Sequence, residues 1–280
     1  MVIDVHVHPP TKEFLIDTLG TYGEATCRYF KVPLEPKTIE EMIVEFDEAG
    51  VKKMVLLALD AETATGLPKT SNEYIAKIVD KYPEKFIGFA SVDPNKGRLA
   101  IKELEKAIYD LGLRGVKFQQ SVQAFFPNDR KFYPLYEKAV ELKIPVVFHM
   151  GTTGWGAGLP GGGGIKLKYT NPMFVDDVAA DFPELTIICA HPAWPWQDEM
   201  LAVAMHKSNV YIDLSGWSPK YLPETLIRYI NVFLSDRCLF GTDYPFIKPS
   251  RWLKDFKELK FKPEIEKKIL EENAKKVLKI

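Results

Sequence analysis

Short runs of apolar, mostly β-branched residues recur along the whole chain. They read 2–7 (VIDVHV), 52–59 (KKMVLLAL), 86–91 (FIGFAS), 114–119 (RGVKFQ), 145–149 (PVVFH), 186–190 (TIICA), 209–214 (NVYIDL) and 237–241 (RCLFG). Each is short enough for a strand buried on both faces. Between them the apolar positions switch to a helical period. The pattern predicts helices over 38–49, 71–82, 97–111, 132–143, 171–182, 197–207, 220–235 and 263–279. The first opens with a Thr38-x-x-Glu41 capping box and stops at Gly50. Strands that alternate with helices in this way specify a parallel α/β fold. A 280-residue chain shared among such units suits a closed (β/α)8 TIM barrel spanning 1–280 as one domain. A doubly wound open sheet is the alternative, weakened by the lack of Gly-x-Gly-x-x-Gly after the first strand.

Two connections are longer than the rest, 9–37 and 150–170, and both follow strand C-termini. In a barrel they would lie on the catalytic face. The second contains GAGLPGGGG. Its glycines, Gly161 to Gly164, have the look of a phosphate loop but lack the GK[ST] ending, so a mobile lid or plain loop is the better reading.

Composition narrows the partners. Apolar residues make up 46% and charged residues 27%, a globular mix, and the net charge of −1 offers nothing to nucleic acid or an anionic membrane. No apolar run reaches the ~20 residues needed to span a bilayer. The start, MVIDVHVHPP, does not read as a secretory signal, and the three cysteines, Cys27, Cys189 and Cys238, read as reduced thiols. A cytoplasmic protein without nucleic-acid or membrane partners is expected.

The histidines carry the chemistry. Of His6, His8, His149, His191 and His206, the first four stand at the ends of predicted strands. Strict alternation puts Asp4, His6 and His8 on one face of the first strand, pointing into the barrel, and Ile3, Val5 and Val7 on the other. Two imidazoles two residues apart can converge on one ion. His149 closes the fifth strand, His191 the sixth, and Asp243 follows the eighth, all directed at the barrel mouth. Each alone is an ordinary structural residue; together in one small volume they need a common partner, and a cation satisfies them all. His206, at a helix end, reads as a surface or capping residue.

With these residues in place, the chain resembles the amidohydrolase superfamily, and within it the amidohydrolase 2 group of decarboxylases, hydratases and lactonases akin to aminocarboxymuconate-semialdehyde decarboxylase. The resemblance rests on IDVHVH (3–8), GFASVDP (88–94), GVKF (115–118), PVVFHMG (145–151), CAHPAWPW (189–196), NVYIDLSG (209–216), FGTDYPF (240–246) and EENAKKVL (271–278). It implies that His6, His8, His149 and Asp243 bind one divalent metal, with Asp243 also handling a proton. It implies that His191 stays off the metal and acts on water or substrate. Zinc suits the nitrogen-rich set, with manganese as the alternative. Binuclear members of the superfamily carry a carboxylated lysine at the end of strand four, which makes Lys117 ambiguous: a bridge, or a lysine paired with a carboxylate or substrate.

A metal-held water with its pKa lowered to about 7 would attack a C–O or C–N bond. Hydrolysis of a small aromatic or carboxylated molecule is therefore the first expectation. Nonoxidative decarboxylation is the alternative; lactonase or hydratase chemistry, or a non-catalytic metal-binding barrel, comes after it. Trp155, Trp194, Trp196, Trp217 and Trp252, with Phe125, Phe126, Tyr244 and Phe246, would surround the mouth and receive a flat substrate, or else pair two copies into a homodimer. Arg28, Lys166, Lys168, Lys248 and Arg251 are loop cations that could grip a substrate carboxylate. Ser215, ending strand seven, could hydrogen-bond substrate or backbone.

Overall fold

The computed structural model describes residues 1–280. All eight expected strands form: β1 (Val2–Val7), β2 (Val51–Leu57), β3 (Phe86–Phe89), β4 (Val116–Phe118), β5 (Val146–His149), β6 (Ile187–Ala190), β7 (Val210–Asp213) and β8 (Cys238–Leu239). All pair in parallel, β1–β2–β3 in one run and β4 to β8 in another. An Ala90–Val116 bridge joins the runs, and a Val7–Tyr244 bridge closes the ring. At that seam the Val5 N–H donates to Phe240 O at 2.9 Å and the Asp243 N–H to His6 O at 2.9 Å. The fold is thus the (β/α)8 barrel that the alternation predicts.

Two apolar layers follow from period-two alternation. Val55, Leu57, Ile87, Phe89, Val147, Ile188, Ala190, Tyr211 and Leu239 meet inside the barrel, and Ala274, Val277 and Leu278 of the last helix plug its lower end. Met54, Leu56, Val116, Phe118, Phe148, Ile187 and Ile212 face outward onto the helices. The helices fall close to their expected bounds. Ile39–Glu48 carries the Thr38/Glu41 capping box, and Asn72–Lys81 is capped by the Ser71 hydroxyl. Pro249–Lys257 is a further helix, absent from the expected set, and it seats Trp252 in the outer layer against Phe240 and Phe256. Trp252 therefore does not reach the mouth. No helix is long and apolar enough to cross a membrane.

The first strand departs from the expected alternation. Its register against β2 slips between Asp4 and Val7, where Asp4 faces Met54 and Val7 faces Leu56. One extra residue on β1 makes a bulge, and a bulge reverses which face the following side chains take. Ile3 and Val5 accordingly point inward with the barrel core, whereas Val7 joins the outer layer. Asp4 does not reach the cavity: its carboxylate accepts from the His6 N–H (2.9 Å), the Thr242 N–H (3.1 Å) and the Thr242 hydroxyl (2.6 Å). It stitches β1 to β8, and the bulge it pins is what turns His6 and His8 into the barrel mouth.

Candidate active site

A cavity opens at the C-terminal ends of the strands. His6, His8, Lys117, Gln119, His149, His191 and Asp243 form its polar floor. Its walls come from the two long connections, as expected: Phe14, Thr26, Tyr29 and Phe30 from the first, Thr152, Thr153, Gly154 and Trp155 from the second. The first connection is helical, ending in Gly23–Phe30. The two connections touch, with the Thr26 hydroxyl donating to Gly154 O at 3.1 Å and the Tyr22 hydroxyl to Gly163 O at 3.0 Å.

His6 and His8 each place Nε2 at 3.5 Å from Asp243 Oδ1. These three buried residues form a compact group of donor atoms, all within 4.8 Å of one another. Asp243 and His191 both sit in the left-handed backbone region, at φ 65 and φ 75. That conformation is costly for non-glycine residues and characteristic of functional sites. The Asp243 N–H holds it to His6 O, and the His191 N–H donates to Asp213 O at 2.9 Å. Burial opposes ionisation of Asp243, but its hydrogen bond to His8 and the surrounding histidines outweigh this and keep it a carboxylate.

His149 lines the same cavity but stands outside the tight trio. Its Nε2 donates to Thr152 O at 2.9 Å, and its ring meets that of His191 at 4.5 Å. Burial moves the His191 imidazole down to about 4, so it is neutral at ordinary pH.

Asp213, at the end of β7, is a residue the sequence reading missed. Its Oδ2 accepts from His6 Nδ1 at 2.6 Å and from the Ser215 hydroxyl at 2.7 Å. Ser215 Oγ in turn lies 3.0 Å from His191 Nδ1, which donates to it. One buried acid thus sets the tautomer of two imidazoles, leaving Nε2 of each free for chemistry. Burial raises Asp213 to about 6, still ionised at neutral pH. The available signal was its register: Asp213 pairs with Ala190 of β6 and Leu239 of β8, both inward-facing. Gly241 makes room for it, since a Cβ there would lie 2.2 Å from Asp213 Oδ1.

Lys117 points inward from β4 and is 2% exposed. Its Nζ has no hydrogen-bond partner. Burial lowers it from 10.5 to about 8, with Asp213 and Asp243 pulling the other way. Between those two values the unfolded chain holds a proton that the folded chain has lost, so stability rises with pH across that window. Below about 8 the burial penalty is felt in full. In metal-free protein, Lys117→Met is therefore expected to raise the melting temperature at neutral pH by several degrees. The gain should shrink from pH 8 towards 10.5. Thermal melts at neutral and alkaline pH check this; a lower melting temperature for the variant at neutral pH would mean that the ammonium is paired.

The other expected contributors divide. Trp155, Trp217 and Phe246 line the cavity. Trp194 does not: it is 49% exposed, with its ring 6.4 Å from that of Trp217. Phe125 and Tyr244 are core residues, packed on Phe118 and Phe46. None of the loop cations lines the cavity. Arg28 is exposed, because the helix turns Thr26, Tyr29 and Phe30 inward and position 28 outward. Lys166 and Lys168 are exposed, Lys168 over the Phe126 and Tyr169 rings. Lys248 faces Glu45 and Arg251 faces Asp255. His206 is an exposed helix-end residue, and the three cysteines are free and buried, as expected.

A family model described as amidohydrolase matches residues 3–280. The chain is 23% identical to gamma-resorcylate decarboxylase from Polaromonas sp., over 87% of this chain and 88% of that protein. An uncharacterized TIM-barrel protein from Bordetella bronchiseptica superposes with a TM-score of 0.84 at 30% identity, covering 99% of this chain and 98% of the other. The structure of a Polaromonas dihydroxybenzoic acid decarboxylase, with bound manganese and the inhibitor 2-nitroresorcinol, superposes at 0.71 with 22% identity, over 99% and 96% of the two chains. At that identity the likeness is one of fold.

Proposed function

The chain belongs to the amidohydrolase family, and from that premise we propose that it is a metal-dependent nonoxidative decarboxylase of a planar aromatic or unsaturated carboxylic acid. The observation that carries this is the pairing of flat walls with a donor trio. Phe14 stacks on His8 at 4.5 Å and 2°, and Phe30 on Phe246 at 4.7 Å and 18°, beside the His6–His8–Asp243 cluster. Planar walls favour a planar ligand. Hydrolysis, the first expectation from sequence, rested on the default chemistry of metal-held water. A named relative that matches most of the chain is a decarboxylase, which supports the alternative.

The donor set fits a divalent ion. His6 Nε2, His8 Nε2 and Asp243 Oδ1 face one another closely enough to share a cation, which would take the place of the His8–Asp243 hydrogen bond. His6, His8 and Asp243 would hold it, with His149 beside them as the fourth ligand. Manganese has the support of the Polaromonas structure; zinc is the alternative that the nitrogen-rich set also accepts. Such an ion supplies an electrostatic anchor for substrate oxygens.

The chain's own residues do the rest. Asp213 fixes His6 with Nε2 towards the donors. Ser215 Oγ accepts the Nδ1–H of His191 and so leaves the bare Nε2 facing the cavity, where it takes up a proton from solvent and holds it for the substrate. That proton goes to the carbon bearing the carboxylate. The C–C bond then breaks, its electron pair restores the π system, and carbon dioxide leaves. The aromatic walls keep water from the reacting carbon.

The test is to incubate manganese-loaded protein, without oxidant, with a panel of carboxyl-labelled hydroxybenzoates and unsaturated diacids. Labelled carbon dioxide and the decarboxylated product are expected in equal amounts. Turnover of esters, lactones or amides with no carbon dioxide from any acid would return the chain to the hydrolases.

A further inference from the structure

The cavity holds one cation, and it is not on a loop. Lys117 is the only lysine or arginine among the lining side chains, and its buried Nζ has no partner. Lys117 pairs in register with Val147 on β5, two residues before His149, so it rises from the floor one step below the histidine level. Two residues on, just past the end of β4, Gln119 lines the same cavity, and its Oε1 is also unpartnered.

An unpaired buried ammonium is expensive, and native proteins keep such groups where a ligand completes them. Gln119 can serve the same ligand. Its Nε2 donates to Thr153 Oγ1 at 3.2 Å, while that oxygen accepts the Trp155 N–H at 3.2 Å. The Thr153 hydroxyl hydrogen is therefore free. A half-turn of the carboxamide puts Oε1 on that hydroxyl and presents the amide hydrogens to the cavity.

We propose that Lys117 and Gln119 form a second anion subsite, which binds a carboxylate of the substrate other than the one that leaves. This rests on the decarboxylase reading. The departing carboxylate loses its charge in the reaction, so a second cation gripping it, in addition to the ion that the donor trio would hold, would deepen the ground state further and slow the step. A carboxylate that keeps its charge throughout gains equally before and during the reaction, and tightens binding without that cost. The substrate is then a diacid, one acid group at the His6–His8–Asp243 donors and the other on Lys117.

Calorimetric titration of manganese-loaded protein with benzoate and with the three benzenedicarboxylate isomers tests this. Wild type is expected to bind benzoate, and to bind one dicarboxylate isomer at least about tenfold more tightly, the worth of one charge-assisted hydrogen bond. Lys117→Met should erase that preference and leave benzoate affinity within about threefold. Gln119→Glu, which places a carboxylate beside the ammonium, should erase it too, so the outcome does not hang on one variant. A dicarboxylate preference that survives both changes overturns the subsite while the acid reading stands. No benzoate binding by wild type overturns both. A carbamate carbon on Lys117 in NMR spectra recorded with labelled bicarbonate also overturns the subsite, because that lysine would then be an anion.

Discussion

Asp243→Ala protein is expected to retain less than about a tenth of an equivalent of divalent metal and to lose about a thousandfold or more in kcat/KM, roughly 4 kcal/mol of transition-state stabilisation. Asp243 Oδ1 is the atom against which both His6 Nε2 and His8 Nε2 are placed, each at 3.5 Å. Removing it leaves two imidazoles without the charge that balances a cation. The control is Asp213→Asn, which keeps every proposed ligand but weakens the acceptor of the His6 Nδ1–H. Loss of such a supporting contact costs metal affinity by about 10–100-fold, so this variant should load at high metal concentration and empty on dialysis. Elemental analysis before and after dialysis separates the two. Full metal content in dialysed Asp243→Ala would remove Asp243 from the ligand set.

His191→Ala gives the opposite pattern. It should keep its metal and lose about 10²–10⁴-fold in kcat, the range for removal of a proton carrier. His191 contacts the trio only through Ser215 and ring packing, with its centroid 5.0 Å from that of His6. Ser215→Ala should fall between wild type and His191→Ala in kcat, with KM little changed, because it frees the imidazole to rotate without removing it. Ser215→Thr, which keeps the hydroxyl, should recover most of the rate. If His191→Ala is metal-free while His149→Ala loads fully, the two roles are exchanged.

How these residues were legible differs from case to case. The strands and most helices are plain in the hydrophobic pattern, because a barrel strand buried on both faces is a continuous apolar run. His6, His8, His149, His191 and Asp243 were visible because polar residues at the ends of such runs are conspicuous. Asp213 ends β7 in the same way, but beside Leu214 and Ser215 it reads as an ordinary turn. Its role depends on His6, more than two hundred positions earlier, which no local pattern records. The face of β1 was misread because a bulge leaves no mark in the alternation itself; it shows only when β1 is laid against β2. The loop cations were misjudged because helical phase, not sequence proximity, decides where Arg28 points. Lys117, inside a strand, is the cation that lines the cavity.

The seam between β1 and β8 has a consequence for assembly. The closely set donors come from positions 6, 8 and 243, at opposite ends of the chain, and they meet only where Val5 and Phe240, and His6 and Asp243, share backbone hydrogen bonds. An ion held by them would therefore act as a clasp on the ring. A nascent chain that has not yet released its last strand has no Asp243 beside His6 and His8, so metal uptake at this site would report completion of the barrel. Such an ion would tie the earliest-made strand to the latest-made one, and opening of the ring at its seam would have to expel it first.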